Sequence, residues 1–184
     1  MKKLVLLFFV VSIRLNAQPV LVDQLIDETI LFKVPQEMKA QPPTIQRTTS
    51  PALAIYTTPD QQTDLTINKS QLRWGMADAS LLSQFYKANI LNLYDQVEMI
   101  SEGIREQDGN EYIYFEYVGQ IVDEPNAFAA VKKTNDYTYI QYLIQEDGIL
   151  IFRFTCPNFR RNYWQNSVHE IMENIEFKIA KRKR

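Results

Sequence analysis

The fold of this chain is decided by residues 135–178, which have the sequence NDYTYIQYLIQEDGILIFRFTCPNFRRNYWQNSVHEIMENIEFK. This stretch predicts a strand from Tyr137 to Gln145, a turn at Glu146-Asp147-Gly148, a returning strand from Ile149 to Cys156, and a helix that ends near Glu176. An Asp-Gly pair suits a tight hairpin, because glycine adopts positive φ without steric cost. The stretch therefore predicts a β-hairpin followed by a helix.

Period-two alternation divides the side chains of the returning strand between two faces. One face holds Leu150, Phe152, Phe154 and Cys156, and the other holds Ile149, Ile151, Arg153 and Thr155. In the helix, an apolar stripe at helical spacing is formed by Trp164, Val168, Ile171, Met172 and Ile175. We expect Asn158, which follows a proline, to cap this helix, and the stripe to lie across the Phe152/Phe154 face.

The N-terminal segment, residues 1–17, has the pattern of a cleaved signal peptide. Two lysines precede an apolar run from Leu4 to Ile13, which is too short to span a bilayer, and Ala17 supplies a small residue for cleavage. The alternative is a buried core segment, which the paired lysines disfavour. No cysteine stands near the cleavage position, so the usual bacterial lipid anchor is not expected, and no later apolar run predicts a transmembrane helix.

Composition predicts one domain over residues 18–178, followed by a basic tail over residues 179–184. Loss of residues 1–17 leaves 17 basic and 22 acidic residues, a net charge of −5, which argues against general nucleic-acid binding. Cys156 is the only cysteine in the sequence, so no internal disulfide can form. A domain of this length can bury a core without one.

The rest of the chain predicts strands first, then a helix and a second hairpin. Strands are expected over 29–34, 52–57 and 64–68, a helix over 79–94 capped by Asp78, and a hairpin over 96–119 that turns at Asp108-Gly109. The segment 20–26 fits a short helix or a strand, and 36–51 is expected to be an irregular loop. The first helix should bury Leu82, Phe85, Tyr86, Ile90 and Leu93. This order favours an α+β fold, with an antiparallel sheet of about six or seven strands and helices packed on it.

Several segments resemble the PsbP-like and DcrB-like superfamily. They are Phe32-Lys33-Val34-Pro35, Leu65-Thr66-Ile67, and Ile151-Phe152-Arg153-Phe154-Thr155-Cys156-Pro157 with the helix that leads to Asn174-Ile175-Glu176-Phe177. The resemblance implies an α/β sandwich and often a bacterial envelope location or helper role, but no reaction. The chain departs from the lipoprotein members because it lacks the lipid-anchor cysteine.

Few residues suggest catalysis or metal binding. His169 is the only histidine and no motif supplies it with a partner, so a partly exposed structural role is expected. Cys156 shares the Phe152/Phe154 face and is expected to be a small buried residue. One histidine and one cysteine make a zinc site improbable, and no glycine-rich phosphate loop is present. We therefore expect no catalytic residues, no metal and no cofactor.

The second sheet face is the main candidate for binding. Alternation places Tyr112, Tyr114 and Glu116 together, and we expect Arg153, Tyr137 and Tyr139 to join them on a surface away from Phe152 and Phe154. The alternative is a structural face with cross-strand tyrosine pairs and a Glu–Arg pair. Trp74 is a separate candidate, either an exposed anchor or a side chain folded onto the core.

The sequence thus predicts a non-catalytic, exported binding or accessory protein of the bacterial envelope, periplasmic or secreted. The expected partner is another envelope protein or a peptide, and the basic tail is expected to be solvated. Two alternatives stay open: an immunity or inhibitor protein against a toxin, and a small enzyme that uses the Tyr/Glu/Arg face.

Overall fold

The computed structural model describes residues 18–42, 51–71, 78–122, 133–145 and 147–178. In these ranges the elements are β1 (Leu21–Ile26), β2 (Ile30–Pro35), β3 (Lys39–Gln41), β4 (Ala52–Thr57), β5 (Asp64–Ser70), α1 (Ala79–Leu93), β6 (Gln96–Gln107), β7 (Asn110–Val122), β8 (Lys133–Gln145), β9 (Gly148–Pro157), α2 (Arg161–Glu173) and β10 (Glu176–Phe177). The predictions for residues 1–17 and 179–184 lie outside the described residues. No helix in the described part of the chain is both long and apolar enough to cross a membrane.

The strands form two antiparallel sheets. The larger sheet has seven strands in the order β3-β4-β5-β9-β8-β7-β6, and the smaller has three in the order β1-β2-β10. Every strand pair in both sheets is antiparallel. The α+β prediction and the expected size of the sheet are therefore confirmed.

Both faces of the large sheet are covered. One face packs against α2 and the small sheet, with Phe152, Phe154, Trp164, Ile171 and Ile175 in a single buried cluster. The other face packs against α1, with Leu82, Ile90, Ile113 and Phe115 in a second cluster. The prediction that the stripe of α2 lies across the Phe152/Phe154 face is confirmed.

The two hairpins turn at the predicted positions, but their glycines have different roles. Asp108 and Gly109 both have positive φ, 52° and 74°, as a tight two-residue turn requires. Gly148 begins β9 with φ of 148°, and a Cβ there would lie 2.2 Å from the carbonyl oxygen of Ser70 on β5. Gly148 is therefore needed because the neighbouring strand approaches the backbone too closely for any side chain.

Several local predictions are wrong. Asn158 does not cap α2, because a 3₁₀ turn over Asn158–Arg160 precedes the helix and no side-chain cap forms. Phe85 and Leu93 are 44% and 67% exposed, since the stripe of α1 that faces the sheet is Leu82, Tyr86 and Ile90. The loop expected over 36–51 contains β3, and β10 was not predicted. The segment 20–26, which fits a short helix or a strand from sequence, contains strand β1.

Candidate functional site

Tyr112, Tyr114 and Glu116 of β7 lie on the sheet face that α2 covers and not on a free surface. Register pairs Tyr114 with Gln141 and Gln141 with Phe152, and it pairs Glu116 with Tyr139 and Tyr139 with Phe154. Tyr112, Tyr114 and Glu116 therefore share the Phe152/Phe154 face. The prediction that Tyr137 and Tyr139 join them is confirmed, but the predicted separation from the phenylalanines is wrong.

Arg153 does not converge with this group. It pairs across β8 with Ile140 and across β5 with Thr66, on the face that α1 partly covers, and its side chain is exposed. Alternation shows which side chains of one strand share a face. It does not show which face of the neighbouring strand lies on the same side of the sheet, because that depends on the register between the strands. Trp74, the other candidate, lies outside the described residues.

Glu116 is the centre of a buried polar cluster under α2. The residue is 1% exposed, and its carboxylate accepts four hydrogen bonds from three different elements. The donors are Ser101 Oγ at 2.8 Å, Tyr137 Oη at 2.9 Å, Gln165 Nε2 at 2.6 Å and His169 Nε2 at 3.2 Å. The carboxylate thus connects β6, β7 and β8 to α2.

The electrostatics of this cluster favour charged Glu116 and charged His169. Burial alone would raise the pKa of Glu116, but the hydrogen bonds from His169, Ser101, Tyr137 and Gln165 outweigh it and lower this pKa to about 2. The hydrogen bond to Glu116 raises the pKa of His169 against the opposing effect of burial. Glu173 Oε1 lies 3.7 Å from His169 Nδ1 and favours the imidazolium further.

Arg105 closes the tyrosine face from the side of β6, and sequence reasoning missed it. Its guanidinium lies 5.7 Å from the ring centroids of both Tyr112 and Tyr114. Its Nη2 donates to Gln141 Oε1 and to the carbonyl oxygen of Met172, both at 2.5 Å. The signal that could have found it is the register of the predicted hairpin, because a turn at Asp108-Gly109 places Arg105 opposite Tyr112.

The chemical capacity of this cluster is limited by its contacts. His169 is 37% exposed at its side chain, and its ring nitrogens face Glu116 and Glu173. Among the described residues, no hydroxyl or thiol group donates a hydrogen bond to His169.

Cys156 is not part of this cluster. It is buried, and burial raises the pKa of its thiol to about 12. In the described ranges, no three or more His, Cys, Asp or Glu side chains are placed so that they could hold a metal ion. The contacts of Glu116 with Gln165 and His169 therefore serve to hold α2 on the sheet.

An open groove lies at the other end of α2. One part of it, about 350 Å³, is lined by Glu37, Thr58, Pro59, Asp60, Arg160, Tyr163 and Trp164. A second part, about 340 Å³, is lined by Gln18, Pro19, Val20, Gln36, Glu37 and Tyr163. Both parts are lined by Glu37 and Tyr163, so they are adjacent, and we call them together the Tyr163 groove.

Polar pairs hold the rim of the Tyr163 groove. Arg160 Nη2 lies 2.6 Å from Asp60 Oδ2, and Tyr163 Oη donates to Glu37 Oε1 at 3.2 Å. The hydroxyl of Thr58, followed by the Arg160 guanidinium and the amide of Gln62, lowers the pKa of Asp60 to about 2. The rim is therefore charged and preorganised at neutral pH.

Apolar surface is exposed in the groove and beside it. Phe159 does not line the groove, but it is 79% exposed and its ring lies 5.5 Å from the guanidinium of Arg160 on the rim. Tyr163 and Val20 are 38% and 64% exposed. Trp164 lines the groove but is buried, and its indole Nε1 has no acceptor among the described residues. Sequence reasoning missed this groove, although Phe159 and Tyr163 are aromatic residues outside the apolar stripe of α2.

Comparison with solved structures shows a PsbP-like fold. The chain is similar to the solution structure of cyanobacterial PsbP (CyanoP) from Synechocystis sp. PCC 6803, with a TM-score of 0.59, 12% identity, and coverage of 90% of this chain and 96% of that one. It is also similar to the Ran-binding protein Mog1p of Saccharomyces cerevisiae, with a TM-score of 0.56, 10% identity, and coverage of 86% and 96%.

A third similar structure is LpqN, involved in cell envelope biogenesis of Mycobacterium tuberculosis. Its TM-score is 0.54 and its identity 12%, with coverage of 82% of this chain and 83% of that one. No protein-family model and no curated protein sequence matches the chain. At these identities the likeness concerns the fold, and the predicted resemblance to PsbP-like proteins is confirmed at that level.

Proposed function

We propose that this PsbP-like domain is a non-catalytic binding or accessory protein of the bacterial envelope, and that it holds an extended segment of a partner protein in the Tyr163 groove. The observation that carries the proposal is the exposed aromatic surface of Phe159 and Tyr163 at the Tyr163 groove. Phe159 is 79% exposed even though its ring contacts the Arg160 guanidinium, so most of this aromatic side chain is in contact with solvent.

The shape and chemistry of the groove favour a peptide segment over a compact small molecule. Two adjacent parts that share Glu37 and Tyr163 suit an extended chain, which Tyr163 in the groove and Phe159 beside it can contact through apolar side chains. Since the rim charges of Asp60 and Arg160 already pair with each other, no strongly charged ligand is required.

The envelope location rests on the signal-peptide pattern of residues 1–17. Two similar structures support the proposal by analogy: LpqN is involved in cell envelope biogenesis, and Mog1p binds the protein Ran. Fold alone does not transfer a function, so the site residues of this chain carry the argument.

The two alternatives differ in their support. The enzyme alternative requires Tyr112, Tyr114, Glu116 and Arg153 on one surface. Arg153, however, lies on the opposite face of the sheet from the other three residues. We therefore propose no reaction. A toxin inhibitor would use the same kind of surface as a helper protein, and the identity of the bound segment decides between them.

Selection from a phage library of random short peptides tests the proposal, with residues 18–184 immobilised. We expect enriched peptides to share apolar side chains and to bind with measurable affinity by calorimetry. Phe159→Ala and Tyr163→Ala should each weaken binding by at least about tenfold, the loss expected for an aromatic anchor. Leu81→Ala is the matched control, because Leu81 is similarly exposed but lies on α1.

Because Phe159 is exposed, its removal should leave folding unchanged, and circular dichroism checks this. Enriched peptides that bind the Phe159→Ala and Tyr163→Ala variants as tightly as the unaltered chain would overturn the assignment of the groove. A library that yields no peptide at all would count against recognition of extended segments.

A further inference from the structure

The two edges of the large sheet differ greatly in length. At one edge β3 has three residues, which is too short to be a useful template. At the other edge β6 has twelve residues, and β7 pairs with only one side of it. No strand among the described residues pairs with the outer side of β6. Unpaired strand edges of this length readily accept another strand.

The side chains along this edge are acidic and regularly spaced. Beyond the bulge between Met99 and Ser101, one face of β6 presents Glu102, Ile104 and Glu106 in alternation. All three are exposed, and Ile104 is 42% exposed. Arg105 points to the other face, where it contacts Gln141 and Met172. On the sheet face that carries α1, the edge therefore presents an acidic, an apolar and a second acidic side chain, all of them exposed.

The charges of this face are only partly compensated. Lys87 on α1 forms an ion pair with Glu102 at 2.5 Å, and both side chains are solvent-exposed. Glu106 forms no ion pair with any described residue, and Glu111 of β7 lies directly opposite it. Two adjacent carboxylates on one sheet face destabilise each other, and a cation brought beside them relieves this.

We propose that the outer edge of β6 accepts an extended segment of a partner protein as an added strand, and that this segment carries a basic, an apolar and a second basic residue at alternate positions. The basic residues face Glu102 and Glu106, and the apolar residue faces Ile104. Main-chain hydrogen bonds supply the pairing, and the side-chain pattern supplies the selectivity. A second copy of β6 is disfavoured, because self-pairing would bring glutamates close to glutamates.

This surface is separate from the Tyr163 groove, so the two proposals can fail independently. The probe is a fluorescein-labelled peptide, acetyl-TKTVTKT-amide, titrated against residues 18–184 and followed by fluorescence anisotropy. Two control peptides separate the contributions. The first, TETVTET, reverses the charge, and the second keeps the side chains of the probe but is N-methylated at alternate amides, which prevents strand pairing.

We expect the basic peptide to bind and both control peptides to bind at least about tenfold more weakly. Glu106→Lys should weaken binding of the basic peptide by a similar factor. Asp23→Lys is the matched control, because it makes the same change of charge at an exposed position of β1, an edge strand of the small sheet. Phe159→Ala should leave binding unchanged. Amide hydrogen exchange should show new protection in residues 101–107.

Three results would overturn the proposal. Equal binding of the N-methylated peptide would mean that charge alone attracts the probe. Protection outside β6, or equal weakening by Asp23→Lys, would place the binding surface elsewhere. A concentration-dependent dimer in sedimentation, with residues 101–107 protected in the absence of peptide, would show that a second copy occupies the edge.

Discussion

Replacement of Glu116 by glutamine tests how α2 is held on the sheet. The four groups around this carboxylate, on Ser101, Tyr137, Gln165 and His169, all donate hydrogen bonds to it. A glutamine amide keeps the shape of the carboxylate, but it has only one acceptor oxygen. Its NH₂ group would face some of the same donor groups and cannot accept a hydrogen bond from them. At least one buried donor then loses its acceptor, and His169 loses its counter-charge.

The size of the effect follows from the pKa of Glu116. A fall from the ordinary value of 4.5 to about 2 corresponds to a stabilisation of about 3 kcal/mol when the carboxylate is ionised. Because the folded pKa is depressed, this contribution is fully present above pH 4.5 and is lost as the pH falls through about 2. Glu116→Gln should therefore lower the free energy of unfolding by about 3 kcal/mol at neutral pH, and by progressively less in acid.

Urea unfolding followed by circular dichroism, repeated at several pH values from neutral down to the acid limit of the native state, measures this difference. Glu111→Gln is the control, because Glu111 is exposed on the same strand, and it should change stability by less than about 0.5 kcal/mol. A loss below about 1 kcal/mol for Glu116→Gln, with an unchanged acid profile, would refute the link between Glu116 and α2.

The remaining predictions concern the core, the histidine and export. Phe154→Ala should cost roughly 3–5 kcal/mol in urea unfolding, because the ring is fully buried against Trp164, and a loss below about 1 kcal/mol would contradict this packing. Because the pKa of His169 is raised in the folded protein, protonation of His169 stabilises the fold below pH 6.5, and this stabilisation is lost as the pH rises through the raised value. His169→Asn should therefore flatten the alkaline side of the plot of unfolding free energy against pH. An unchanged plot would show that the pair of His169 and Glu116 is not formed. Mass spectrometry of the envelope fraction should find an N-terminus at or near Gln18, whereas an intact Met1 on a cytoplasmic protein would contradict export.

Local patterns were sufficient to predict most elements of this fold. The apolar stripe of α2 and the alternation in β9 are periodic within short windows, so Phe154 and Ile171 could be placed in one core from sequence. The cap of α1 by Asp78 also depends only on neighbours, and its side chain accepts from the amide of Ser80 at 2.8 Å. The short strands β3 and β10 have no comparable signal, because two or three residues cannot show a period.

The sites depend on contacts between distant parts of the chain, which periodicity does not report. Both faces of the large sheet are covered, so both faces of β7 and β9 carry apolar and aromatic residues. Hydrophobicity therefore does not indicate which face of β7 lies on the same side of the sheet as which face of β9. For this reason the sequence prediction places Arg153 with Tyr112, Tyr114 and Glu116, from which the structure separates it. The pairing of Glu116 with His169 and the meeting of Glu37 with Tyr163 likewise join segments that only the folded chain brings together.

Site-specific photo-crosslinking in living cells tests the central claim most directly. The photoreactive residue p-benzoylphenylalanine replaces Phe159 in one strain and Leu81 in another, since both positions are exposed and lie on different helical segments. We predict that position 159 crosslinks to a defined segment of an envelope protein, that a groove-binding peptide from the phage selection competes with this crosslink, and that position 81 does not form it. Equal crosslinks from both positions, or a crosslink from position 159 that the peptide does not reduce, would contradict the assignment of the Tyr163 groove as the binding site.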